Sequence, residues 1–125
     1  MWVMRDHTSL IAWQEAEAVA ITAVRLSRTY WRPPARAIFD QLLRASVSAQ
    51  VNISEGYAWT DSPTFRRHLQ IAYGSAVECG DLLRLLERTG IVPPAEIAPV
   101  SERCGRCQRL ILGLYHRVAG KRNAG

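Results

Sequence analysis

Residues 41–56, QLLRASVSAQVNISEG, put hydrogen-bonding side chains where a helix ordinarily shows only core or only solvent. At 3.6 residues per turn, Gln41, Arg44, Ser48, Asn52 and Glu55 fall at spacings of 3, 4, 4 and 3 and form one narrow polar stripe. Apolar stripes flank it: Ile38, Leu42, Ala45, Ala49, Ile53 and Gly56 on one side, and Leu43, Val47 and Val51 on the other. A helix apolar on both flanks is expected to be covered on both, which places the polar stripe between packed elements. Its groups then need partners, because a buried donor or acceptor left unmatched costs roughly 1–3 kcal/mol. Residues 74–78, GSAVE, offer them: Ser75 and Glu78 share a helix face, and Gly74 lets a neighbouring backbone approach. His68 lies on that same face and is expected to join. Glu55 and Glu78 would form an acid/base pair if their helices met there, but Arg44 on the same stripe makes a charge-balanced network the simpler outcome. The stripe therefore reads first as structural, with a ligand site as the alternative.

Three further amphipathic segments surround this one. Ala12, Ala16, Val19, Ala23, Leu26 and Tyr30 keep a 4-3-4-3-4 rhythm, widened by Trp13, Ala20, Val24 and Ser27. Thr8 or Ser9 is expected to cap that helix, with Glu15 and Glu17 near its positive end, and Pro33-Pro34 to end it. Pro34 can open the second helix, which runs to Gly56 before the aromatic turn Tyr57-Ala58-Trp59. Asp61 or Ser62 before Pro63 marks the next start, and Phe65, Leu69, Ala72, Ala76, Cys79, Leu83 and Leu86 form its seam up to a C-cap at Gly90. A second stripe on this helix is Ile71, Ser75, Glu78, Leu82 and Leu85. Ile97, Val100, Cys104, Cys107, Ile111, Leu114 and Val118 complete the set. Pro99 falls inside that last rhythm, so the helix either begins near it or is kinked by it. The spacings predict helices over about 9–31, 34–57, 62–89 and 95–119. With no alternating strand pattern, the expectation is an all-α, up-and-down four-helix bundle forming a single domain over 1–125.

Composition narrows the function classes. The 125 residues are 48% hydrophobic and 22% charged, which suits a chain with its own core and argues against disorder. No run of eighteen apolar residues is present and the first ten residues lack the apolar stretch of a signal peptide, so the expected compartment is the cytoplasm, without membrane association. Cys104-Gly-Arg-Cys107 resembles a redox or zinc half-motif, but both cysteines sit on the helix seam, where Cys acts as a small hydrophobe. A zinc site needs four ligands, and only Cys79 and three scattered histidines, His7, His68 and His116, remain. Nothing resembles a nucleophile elbow, a P-loop or a dinucleotide fingerprint. No catalytic residue, cofactor or metal is expected.

The sequence 41–56, followed by IAYGSAVE at 71–78 and preceded by LIAWQEA at 10–16, resembles the four-helix-bundle family named after proteins encoded in intervening sequences of 23S ribosomal RNA. The similarity covers roughly residues 8 to 119. It departs from the family pattern in the Arg- and Trp-bearing first loop and in the proline-rich approach to the last helix. The resemblance implies an up-and-down bundle assembled as a ring-shaped homopentamer, without catalysis and associated with RNA. Relatives of the family include accessory proteins of diversity-generating retroelements, basic pentamers that engage a reverse transcriptase and nucleic acid.

Charge points the same way. Of a net +5, Arg103, Arg106, Arg109, Arg117, Lys121 and Arg122 supply an acid-free C-terminal stretch, and these six are the candidate nucleic-acid-binding residues. A second acid-free window, Ala18 to Phe39, holds Arg25, Arg28, Arg32 and Arg36. Fifteen of sixteen basic residues are Arg, which suits phosphate recognition or reflects codon usage. Two apolar flanks on the second and third helices call for self-association. Two functions follow: a non-enzymatic RNA-associated oligomer, or a scaffold whose target is a polypeptide such as a reverse transcriptase.

Overall fold

A computed structural model of the chain describes residues 6–59 and 63–124, with side chains as far as 120. It holds four long helices: α1 (Ile11–Tyr30), α2 (Arg36–Tyr57), α3 (Pro63–Arg88) and α4 (Pro94–Ala124). Sequential helices pack on one another and α4 closes against α1, giving the up-and-down bundle. Among the described residues there is no strand, and no helix is long and apolar enough to cross a membrane.

The seams meet in the middle. Every expected seam residue of α3 is buried, as are Ala12, Ala16, Val19, Ala23 and Leu26 of α1 and Ile97, Val100, Cys104, Cys107 and Ile111 of α4. Toward the α1–α2 turn, Leu26, Phe39, Leu42, Leu83, Leu86 and Val92 form one cluster; toward the other end, Ile53, Phe65, Leu69 and Ile111 form a second. Each of these large side chains contributes about 1.5–3 kcal/mol through burial. Between the clusters the helices meet largely through Ala, Ser and Cys, small residues that let backbones approach.

Helix boundaries differ from expectation where local hydrogen bonding wins. Thr8 and Ser9 do not cap α1. Asp6 instead accepts from the Thr8 backbone N–H at 3.0 Å and the Thr8 hydroxyl at 2.5 Å, closing a 3-10 turn over His7–Ser9, and α1 starts at Ile11. The bonds from Thr8 hold the Asp6 carboxyl below the usual carboxylate range. Pro34 does not open α2: residues 33–35 form a 3-10 turn tied by the Ala35 N–H to the Arg32 carbonyl, and the α-helix begins at Arg36. The caps expected at Asp61 and Ser62 lie outside the described residues. α3 ends as expected, at Gly90 with φ +75°, the Gly90 N–H meeting the Glu87 carbonyl and the Ile91 N–H the Leu86 carbonyl.

α4 takes neither a late start nor an end at 119. It begins at Pro94, where a missing amide is harmless, and continues through Pro99. Only one helical hydrogen bond is forfeited there, while Ile97 and Val100 on either side are buried, so the core face carries the helix through.

The second apolar flank is covered only in part within the chain, Leu43 of α2 and Leu82 of α3 packing against the core. Val47 and Val51 on α2, and Ile71 and Leu85 on α3, are exposed, because α2 spends its two lateral faces on α1 and α3 and turns this flank outward.

Candidate functional site

The α2–α3 contact gathers the polar residues of both helices into two linked groups. The Asn52 amide donates to the Ser48 carbonyl at 2.9 Å and to Ser48 Oγ at 3.2 Å; Ser48 and Ser75 share a hydrogen bond of 2.8 Å. His68 Nδ1 lies 2.9 Å from Asn52 Oδ1 and 3.8 Å from Glu55 Oε2. Further along, Arg44 donates to Gln41 Oε1 at 3.3 Å and Gln41 donates in turn to Glu78. Seven of the eight residues of the expected network hydrogen-bond to one another, while Glu55, 58% exposed, only approaches His68. Glu55 and Glu78 take different partners, so no paired carboxylates form. The alternation of donor and acceptor ties α2 to α3.

A glycine sets the spacing, though not the one the sequence suggested. A Cβ on Gly56 would stand 2.7 Å from the His68 Cβ and 3.0 Å from the Phe65 ring, whereas a Cβ on Gly74 would meet nothing within 4 Å. The close crossing of α2 and α3 is therefore at Gly56. A further tie, Trp13 Nε1 donating to Ser54 Oγ at 2.8 Å, joins α1 to α2.

The C-terminal arginines are less free than their acid-free sequence implies. Arg103 Nε and Arg106 Nη1 each lie 3.7 Å from the carboxylate of Glu15, whose side chain is 11% exposed. Glu15 Oε2 has no hydrogen-bond partner among the described residues. Two adjoining open grooves of about 270 and 280 Å³ run along this α1–α4 contact, sharing Pro99 and Arg103 and bounded by the Arg25–Glu96 bridge at one end and by Glu15 and Arg106 at the other. Arg109 and Arg117 are exposed and make no ion pair among the described residues. Lys121 and Arg122 lie on the last turn of α4, with side chains outside the described part.

Position in the chain places Glu15 near the positive end of α1, yet its charge partners are Arg103 and Arg106 of α4. Its register shows this: Ala12, Glu15, Val19, Thr22 and Leu26 keep a 3-4-3-4 spacing beside the seam. Of the basic residues in the window Ala18 to Phe39, Arg25 bridges to Glu96, while Arg28, Arg32 and Arg36 are exposed at and beside the α1–α2 turn, in the stretch that carries Trp31.

The cysteines are core. Cys79, Cys104 and Cys107 are free and buried around a small void lined also by Ala16, Val19, Ser46, Ala49 and Ala76. The Cys104 thiol donates to the Ala76 carbonyl at 3.2 Å. Burial raises all three thiols, Cys107 to about 12, which keeps them protonated and unreactive. Among the described residues no cluster of His, Cys, Asp or Glu has the arrangement of a metal site.

Comparison with known proteins adds two findings. The protein family described as "23S rRNA-intervening sequence protein" matches residues 8–113. Among solved structures, a protein of unknown function from the S23 ribosomal protein family of Bacteroides thetaiotaomicron is similar to this chain, with a TM-score of 0.75 and 20% identity over 84% of this chain and 98% of that one. No curated protein matches significantly. At that identity the structural likeness carries the fold alone.

Proposed function

The chain belongs to the 23S rRNA-intervening sequence protein family, and from that we propose that it works without catalysis, as a homo-oligomer that binds RNA through the arginines of α4. The observation that carries the reading is the run of exposed Arg103, Arg106, Arg109 and Arg117 along one helix. Glu15 offsets part of that charge, yet the side chains of Arg103 and Arg106 remain 51% and 60% exposed, leaving guanidinium donors facing solvent. Arg109 and Arg117 carry their charge unopposed among the described residues. Phosphates are the chemistry such a surface selects.

Self-association is supported by the bare apolar side chains Val47, Val51, Ile71 and Leu85 on one side of the bundle and Ile21 and Val24 on α1. Two different faces suit a heterologous contact, which gives a ring when its rotation closes; the family resemblance suggests five subunits. A ring would multiply one modest basic patch into several and raise avidity. The same apolar faces favour the second reading, a scaffold for another polypeptide such as a reverse transcriptase.

The test is an anisotropy titration of structured RNA at several salt concentrations, with wild type beside a variant carrying Gln at 103, 106, 109 and 117. Wild type should bind with little regard to sequence, each phosphate contact contributing about −0.7 to −0.9 to the log–log salt slope. The variant should bind more weakly on every sequence with a shallower slope, and light scattering should show the same assembly for both. Absence of wild-type binding at low salt would leave the scaffold reading in place.

A further inference from the structure

The turn between α1 and α2 carries a half-exposed indole within an arginine-rich, acid-free stretch of chain. Trp31 is 49% exposed, and its sequence neighbours Arg28, Arg32 and Arg36 are exposed as well. Arg36 has a loose i,i+4 contact with Asp40 at 3.8 Å, while Arg28 and Arg32 make no ion pair among the described residues. No acidic residue occurs from Ala18 to Phe39.

The backbone under the indole is fixed. The Trp31 N–H donates to the Ser27 carbonyl at 3.0 Å, the Ala35 N–H to the Arg32 carbonyl at 2.8 Å, and Pro33-Pro34 restrict the segment between. Ala35, fully buried, pins the far side to the core. About half of a large aromatic surface is thus held in water on a stiff turn, and Trp31 is not among the side chains packed on the two core clusters.

The geometry points to Trp31 as a stacking platform for an unpaired base of single-stranded RNA, with Arg28 and Arg32 holding the flanking phosphates. This rests on the RNA reading above and gives it a second contact on the far end of the bundle from Arg117. Stacking uses the face that every base offers and so needs no sequence, while guanidinium groups on both sides follow the strand. A lipid surface fits less well: Trp31 is the only exposed large hydrophobic residue between Arg25 and Ser46, so membrane insertion would bury one side chain among arginines and prolines.

The test compares labelled oligouridine with a blunt RNA duplex of equal length, titrated against wild type, Trp31→Ala, Trp31→Phe and the double variant Arg28→Ala/Arg32→Ala. Trp31→Ala should weaken oligouridine binding roughly 5- to 100-fold and leave the duplex within about 3-fold of wild type. Trp31→Phe should recover most of the loss, and the arginine pair should flatten the salt slope on both ligands. If wild type binds oligouridine and Trp31→Ala binds it equally well, the corner is not a site and the α4 reading stands. Equal losses on single strand and duplex would rule out stacking. A changed oligomeric state in Trp31→Ala would reassign the corner to a protein contact, and loss of binding to phosphatidylserine vesicles would reassign it to lipid. A wild type that binds neither RNA at low salt overturns both readings.

Discussion

The α2–α3 contact and the α1–α4 contact each take polar groups out of water, and they treat them in opposite ways. Between α2 and α3 the groups are short: Ser48 meets Ser75, and Asn52 meets His68, at 2.8 and 2.9 Å. Few torsions separate these atoms from their backbones, so the helix spacing fixed at Gly56 also fixes the hydrogen bonds. Between α1 and α4 a carboxylate is approached by two long arginines that stop at 3.7 Å, near enough for charge and too far for a hydrogen bond. Direction comes from rigid placement, and charge proximity alone does not supply it.

The comparison breaks most visibly at Gly56. With any Cβ there only 2.7 Å from the His68 Cβ, Gly56→Val must push α2 and α3 apart, and we expect a loss of about 3 kcal/mol in urea unfolding, as for overpacked cores. Gly74→Ala, with open space around the new Cβ, should instead be neutral or gain up to about 1 kcal/mol from helix propensity. If the two glycines responded alike, helix spacing would not be what locks the network.

A smaller effect is expected one step along the chain of bonds. Asn52→Leu leaves His68 Nδ1 without its hydrogen-bond partner and Ser48 Oγ with Ser75 alone in a half-buried setting, which should cost about 2 kcal/mol. A variant with unchanged melting temperature would mean that water replaces Asn52 freely and that the stripe is a solvated edge.

Much of the fold was legible because seam spacing is a local property that packing enforces: Phe65 to Leu86 and Ile97 to Ile111 were readable residue by residue. The polar stripe was legible for the same reason, since Gln41 to Glu55 also follow helical spacing. Three things were hidden. Which flank of α2 faces a neighbour depends on where the other helices lie, so Val47 and Val51 looked buried and are not. Gly56 and Gly74 are alike in sequence and differ only in what stands opposite. Glu15 is 88 residues from Arg103, so an acid-free stretch of chain became a mixed-charge surface only on folding.

That last contact gives the smallest effect on stability and the sharpest contrast with Asn52. Removing one member of a buried ion pair is usually costly because the other is stranded, by about 3–5 kcal/mol. Here the other members are not buried: Arg103 and Arg106 are more than half exposed and would return to water. What is buried is the carboxylate itself, whose Oε2 lacks a hydrogen bond among the described residues, so its desolvation is poorly offset and the screened attraction to exposed arginines recovers little. Glu15→Leu should therefore fall within about 1 kcal/mol of wild type, or above it, in the same urea assay in which Asn52→Leu loses about 2. The substitution also releases two guanidinium groups on α4, so RNA binding should tighten at low salt and its log–log salt slope should steepen by about 1 to 2. A loss of several kcal/mol on removing Glu15 would show that the arginines do satisfy it in solution, and the difference between the two contacts would vanish.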